Sequence, residues 1–296
     1  DARVATLKAQ DLEGIWLFPT LGVLYEELLK HDTEALTATF RAFNRWIEED
    51  WGFAYQDRIF CPPHISLRDL DDAVEELDRV IKAGARAINL RPGHAYGRSQ
   101  GDPYFDPIYA RLQEAGCTLV FHIQPFWYFD AISPAWGHNP DPAAWHMSAW
   151  QWMNIYGQRP IEDTLSALIF DNLFGRFPDL KVLVAEHGAE WVPQFVIHMD
   201  KSRGMGRNGP WIGGKLTEKP SEIFRRHVGV VPYPEDDIPK IVDRLGYDEC
   251  LLMGSDYPHA EGLAEPADFV KLLDPLDDAT KKRIMVGNAD QLLRRS

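Results

Sequence analysis

Basic residues are scarce in this chain of 296 residues: 31 Lys and Arg face 45 Asp and Glu, a net charge of -14. A nucleic-acid surface needs a basic face, so that class is excluded, whereas an acidic surface otherwise says little beyond solubility. Cysteine is sparse too. Cys61, Cys117 and Cys250 are odd in number, far apart and each near a strand-like run. They read as buried thiols in a reducing, cytoplasmic setting rather than as a disulfide framework. No apolar run approaches the roughly 18 to 20 residues that would cross a membrane. The longest candidate, GIWLFPTLGVLY, is interrupted by Pro19 and Gly22. A signal-peptide pattern and a Gly-rich phosphate loop after an early strand are also missing. The chain opens on Asp1 rather than methionine, so further residues are expected upstream.

What is present is an alternation of strand-like and helix-like segments. Residues 66 to 83 place Leu70, Ala73, Val74, Leu77, Val80 and Ile81 at helical spacing, with Ser66 and Asp69 as a capping box and Gly84 as the stop. RAINL (86 to 90) follows as a strand. Asp106-Pro107 opens another helix, Gly116 closes it, and TLVFH (118 to 122) is the next strand. Asp163 is expected to cap a helix through Phe177 ahead of the strand KVLVAEH (181 to 187). Strands are expected near 15, 59, 87, 119, 183, 229 and 251. Strands joined by helices imply right-handed crossovers and a parallel sheet. Seven strands approach the eight of a closed barrel of about 250 residues. The expected fold is therefore α/β, a TIM-like (β/α)8 barrel spanning 1–296 as one domain, with the first strand upstream of Asp1. An open doubly wound sheet is the alternative.

In such a barrel the C-terminal ends of the strands form the active-site face. The strand ends present Arg91 with His94 behind it, His122, Glu186 with His187, and Asp256 with His259; His64 comes a little late. Two imidazoles and a carboxylate converging from three strands suit a divalent metal such as zinc. Plainer readings exist for each: a strand-end histidine is often a hydrogen-bonded structural residue, Asp256 a turn former, Arg91 a partner of a surface acid. It is their joint placement that favours a site.

FHIQ, AEHGAEWVP and GSDYPHAEG, in that order, resemble the amidohydrolase superfamily, in the branch that includes aminocarboxymuconate-semialdehyde decarboxylase and related aromatic-acid decarboxylases. DPYFDPIYARLQEAG, KPSEIFRRHV and KKRIMVGNADQLL extend the resemblance over nearly the whole chain. It implies a metal-dependent barrel, with zinc expected and manganese or iron as alternatives, that carries out hydrolysis or non-oxidative decarboxylation. By position, it makes His122 and Asp256 metal ligands, and His187 and Asp256 the catalytic acid/base groups. Substrate contacts are expected from Arg91, Trp127, Trp191 and His259. The family's first-strand His-x-His pair has no counterpart in these residues, and two further ligands are expected upstream of Asp1.

The aromatic surplus is concentrated in an insertion at about 124–160, which carries Trp127, Trp136, Trp145, Trp150 and Trp152. A connection of that length marks a lid or binding insertion. It is expected to cover an aromatic or flat apolar substrate, to form a homodimer contact, or both. The leading expectation is a hydrolase or decarboxylase acting on a small aromatic or carboxylated molecule, without nucleic-acid or membrane partners. The rivals are a barrel-fold binding protein that has lost catalysis and a metal-independent lactonase-like hydrolase using His122, His187 and Asp256 alone.

Overall fold

Continuous apolar runs such as TLVF and VLVA belong to strands buried on both faces, and the chain places them so. A computed structural model describes residues 1–18, 22–124, 128–143 and 145–293. Its strands are β1 (Ile15–Trp16), β2 (Ala54–Tyr55), β3 (Ile59–Phe60), β4 (Ala87–Asn89), β5 (Thr118–His122), β6 (Val182–Ala185) and β7 (Val228–Val230). β4 to β7 form a parallel sheet in chain order. β3 pairs in parallel with β1, and a parallel bridge from His64 to Asn89 carries that sheet onto β4. At the other end Val230 bridges Leu251 in parallel, with the Leu252 amide donating to the Val230 carbonyl at 3.0 Å. The parallel order thus runs β1, β3, β4, β5, β6, β7 and the 251 segment, the wall of a (β/α) barrel. The strand expected near 251 is reduced to this bridge. β2, antiparallel to β3, was not anticipated.

Alternation along each strand sorts the core into two layers. Ala87, Val120, Leu183 and Leu252 pack together inside the wall with Trp16 and Leu292. Their neighbours Ile88, Leu119, Phe121, Val182 and Val184 face the outer helices in the larger core. A Cβ at Gly229 would lie 2.6 Å from Leu252 Cδ1, so glycine there leaves room for Leu252 in the interior. Thr118, the first residue of β5, donates from its hydroxyl to the Leu292 carbonyl at 2.8 Å. The terminal helix Asn288–Leu293 therefore sits at the N-terminal end of the strands, opposite the ends that matter for chemistry.

The helices correct two expectations about caps. Helix Leu70–Lys82 is capped by Asp69, whose carboxylate accepts from the Asp72 amide, while the Ser66 hydroxyl donates to Glu26 instead. The helix before β6 begins at Arg159, with Pro160 in its first turn, and ends at Phe170. Asp163 is spent on the Tyr128 hydroxyl (2.7 Å), and a left-handed residue, Asn172, separates the following turn Leu173–Arg176. The three cysteines are buried and form no disulfide, and no helix among the described residues is long and apolar enough to cross a membrane.

Candidate metal and active site

β5 delivers His122 as its last residue. Its Nδ1 lies 2.7 Å from the Ile123 carbonyl, which can only accept, so Nδ1 carries the proton and donates. In the neutral ring that leaves Nε2, which faces the site, as the atom able to ligate a cation. Nε2 lies 3.1 Å from Glu186 Oε2. Glu186 follows β6 directly, at a left-handed φ of 57°, and Asp256 follows the 251 segment at a φ of 53°. The two carboxyl groups are hydrogen-bonded to each other, and His259 Nδ1 lies 2.9 Å from Asp256 Oδ1. One ligand atom each from Glu186, Asp256 and His259 falls within 4.8 Å of the others. All come from C-terminal strand ends.

The electrostatics are those of two acids in one place. Burial pushes the Asp256 carboxyl up, and the Glu186 charge adds to it, to about 6. Burial also raises Glu186, but the hydrogen bond and charge of His122 outweigh it, and the net direction is down. Of the two, Asp256 is therefore the one that takes up a proton first as pH falls. His187 is fully enclosed, and neither ring nitrogen makes a well-formed hydrogen bond. Burial first and the His122 charge second pull it down to about 3, so the ring is neutral at pH 7.

Two tyrosines flank the group. The Tyr233 hydroxyl donates to the Glu186 carbonyl at 2.7 Å. Tyr156, at the end of the insertion, is pushed up to about 12 by burial and then by the Glu186 charge. The insertion therefore returns to the site where it closes.

The structure gathers His122, His187, Asp256 and His259 of the expected residues and adds Glu186. The others lie elsewhere or in a different role. Arg91 is buried, with Glu26 (3.9 Å) and Glu27 (3.4 Å) beside its guanidinium. The Trp191 ring is in the core, and its Nε1 donates to the carbonyls of His187 (3.1 Å) and Gly188 (2.9 Å). It braces the turn after β6. Trp127 lies outside the described residues. His64 is buried with Nδ1 2.8 Å from Asn89 Nδ2, and His94 Nδ1 accepts from the Gly97 amide. Tyr233 and Glu186 were given no role in the sequence, although the rule of inspecting strand ends reaches both.

The donor set tests whether a metal fits. Two imidazoles and two carboxylates are borderline nitrogen and hard oxygen donors, a combination that zinc and manganese both accept. Adjacent carboxylates also gain from a cation between them. The residues present fit a divalent ion.

Residues 21–295 match the model of a family described as amidohydrolase. The chain belongs to the amidohydrolase family. It is 37% identical to a crystallographic amidohydrolase from Mycobacterium avium subsp. paratuberculosis K-10, with a TM-score of 0.88 over 99% of this chain and 73% of that one. A dihydroxybenzoic acid decarboxylase from Polaromonas sp. JS666, solved with manganese and 2-nitroresorcinol, shares the fold at 19% identity and a TM-score of 0.73, over 99% of this chain and 85% of that one. Among curated proteins, 2-amino-3-carboxymuconate-6-semialdehyde decarboxylase of Dictyostelium discoideum is 22% identical over 227 residues. That match takes in 75% of this chain and 57% of the relative's length. The amidohydrolase barrel expected from the sequence is therefore the fold of this chain.

Proposed function

We propose that this amidohydrolase is a divalent-metal-dependent decarboxylase of small aromatic carboxylic acids. The clustering of Glu186, Asp256 and His259, with His122 against Glu186, at neighbouring strand ends carries the proposal. His122 and Asp256 would hold the ion, with Glu186 and His259 within reach. Zinc suits the imidazoles, and manganese, present in a solved relative, takes the same donors. When bound, such an ion supplies positive charge that binds a substrate carboxylate and polarises a neighbouring oxygen.

The chain's own residues do the rest. Asp256, the acid of the pair, delivers its proton to the ring carbon that bears the carboxylate. The carbon–carbon bond then breaks, its electron pair restores the aromatic ring, and carbon dioxide leaves. His187, neutral and enclosed, orients a substrate oxygen through a ring nitrogen that no protein group engages well. The aromatic insertion keeps water from the site and offers flat apolar surface. The same residues would serve hydrolysis if a carbonyl replaced the carboxylate. We place the enzyme in the cytoplasm, where its buried thiols stay reduced, and as a homodimer.

The test supplies manganese or zinc with a panel of hydroxybenzoates and records carbon dioxide. Release that ceases in Asp256→Asn supports the proposal. Hydrolysis of esters or lactones without carbon dioxide from any acid overturns it.

A further inference from the structure

We infer that Tyr233 is a positioning residue for the metal centre, holding Glu186 in the one backbone conformation that aims its carboxylate at His122. This rests on the metal-centre reading above. A glutamate at a φ of 57° is crowded by its own Cβ, and such a conformation persists only where the surroundings fix it.

The loop after β7 does the fixing. The Tyr233 hydroxyl donates to the Glu186 carbonyl at 2.7 Å. Its ring lies against Gly188, where an added Cβ would sit 2.6 Å from Tyr233 Cδ2, and Gly188 is itself left-handed at 61°. Asp236 then ties the two loops together: its Oδ2 accepts from the Ala189 amide (2.6 Å) and from the Tyr233 amide (2.9 Å). Trp191 donates to the next two carbonyls, those of His187 and Gly188. Three successive carbonyls after β6 are thus capped by side-chain donors, and the one beside the ligand carboxylate belongs to Tyr233.

Tyr233 need not touch substrate to act. Its oxygen is spent on the Glu186 carbonyl, to which its hydroxyl donates. Loss of the hydroxyl frees the peptide after Glu186 and lets the carboxylate swing from His122.

The experiment uses the whole chain, with Mn2+ alone as the probe, in wild type, Tyr233→Phe and Gly188→Ala. Tyr233→Phe keeps the ring and removes one oxygen; Gly188→Ala displaces the ring and keeps the oxygen. Binding is measured by calorimetry, and thermal melting is followed in chelator. The expected result is Mn2+ affinity about 10-fold weaker in Tyr233→Phe, as for other groups that orient a ligand, with metal-free melting within about 2 °C of wild type. Gly188→Ala is expected to weaken binding by the same route. Equal affinity in wild type and Tyr233→Phe overturns the inference. A wild-type chain that binds no Mn2+ overturns the metal reading itself.

Discussion

Gly262 offers a way to move Asp256 without touching its side chain. A Cβ at position 262 would lie 2.5 Å from the Asp256 carbonyl oxygen, 2.6 Å from the Ser255 oxygen and 2.7 Å from the Asp256 carbonyl carbon. All three are backbone atoms, so no flexible side chain can yield. In Gly262→Ala the turn must open, which puts at risk the hydrogen bonds from Leu263 to Ser255 (2.8 Å) and from His259 to Asp256 (2.9 Å). At about 1 kcal/mol each, with some strain remaining, the local cost is about 2 to 3 kcal/mol. A displacement of about 1 Å at a reacting group costs about 100-fold in rate. Turnover should therefore fall about 100-fold while far-ultraviolet circular dichroism is unchanged. Gly204→Ala is the control, since an added Cβ there meets nothing within 4 Å and lies inside a helix. It should melt at or slightly above wild type. Gly262→Ala with wild-type turnover refutes the claim that this turn sets Asp256.

Two further predictions concern the scaffold. Asn44 is fully buried; its side chain accepts from the His64 amide (2.9 Å) and donates to the His64 carbonyl (2.8 Å) and Glu76 (2.9 Å). Asn44→Ala leaves the buried His64 amide and carbonyl unpaired, while Glu76 keeps Arg79, and should cost at least about 2 kcal/mol in urea denaturation, a loss under about 1 kcal/mol contradicting it. Burial also holds His64 and His227 down to about 3 and about 4, so each is neutral when folded but takes a proton near 6.5 when unfolded. The unfolded chain binds more protons between those values, so stability is complete above about 6.5 and is lost as pH falls. Between pH 6.5 and 5 the two together should remove about 3 kcal/mol, read from urea midpoints; a flat profile refutes the assignment.

The wall of the barrel was legible because strands buried on both faces carry unbroken apolar runs. The 251 segment was legible as a strand for the same reason, yet only Leu251 is bridged. The start of the helix at Arg159 was hidden, because Asp163 looks like a cap until the Tyr128 hydroxyl, 35 residues away, is seen to occupy it. Strand ends pointed to His122, His187 and Asp256. Glu186 was seen at its strand end but given no role, because the family resemblance assigned roles only to His122, His187 and Asp256. The left-handed turn at Glu186 breaks the alternation of strand side chains, so Glu186 and His187 both sit against His122. The acid partner of Arg91 was not legible, because Glu27 lies 64 residues earlier.

The central claim is that four side chains of this chain converge on one divalent ion. Anomalous diffraction from crystals of the manganese-loaded protein tests it most directly. The predicted result is a single strong peak within bonding distance of His122 Nε2 and Asp256, bordered by Glu186 and His259. A fully loaded crystal whose peak lies away from these residues would contradict it.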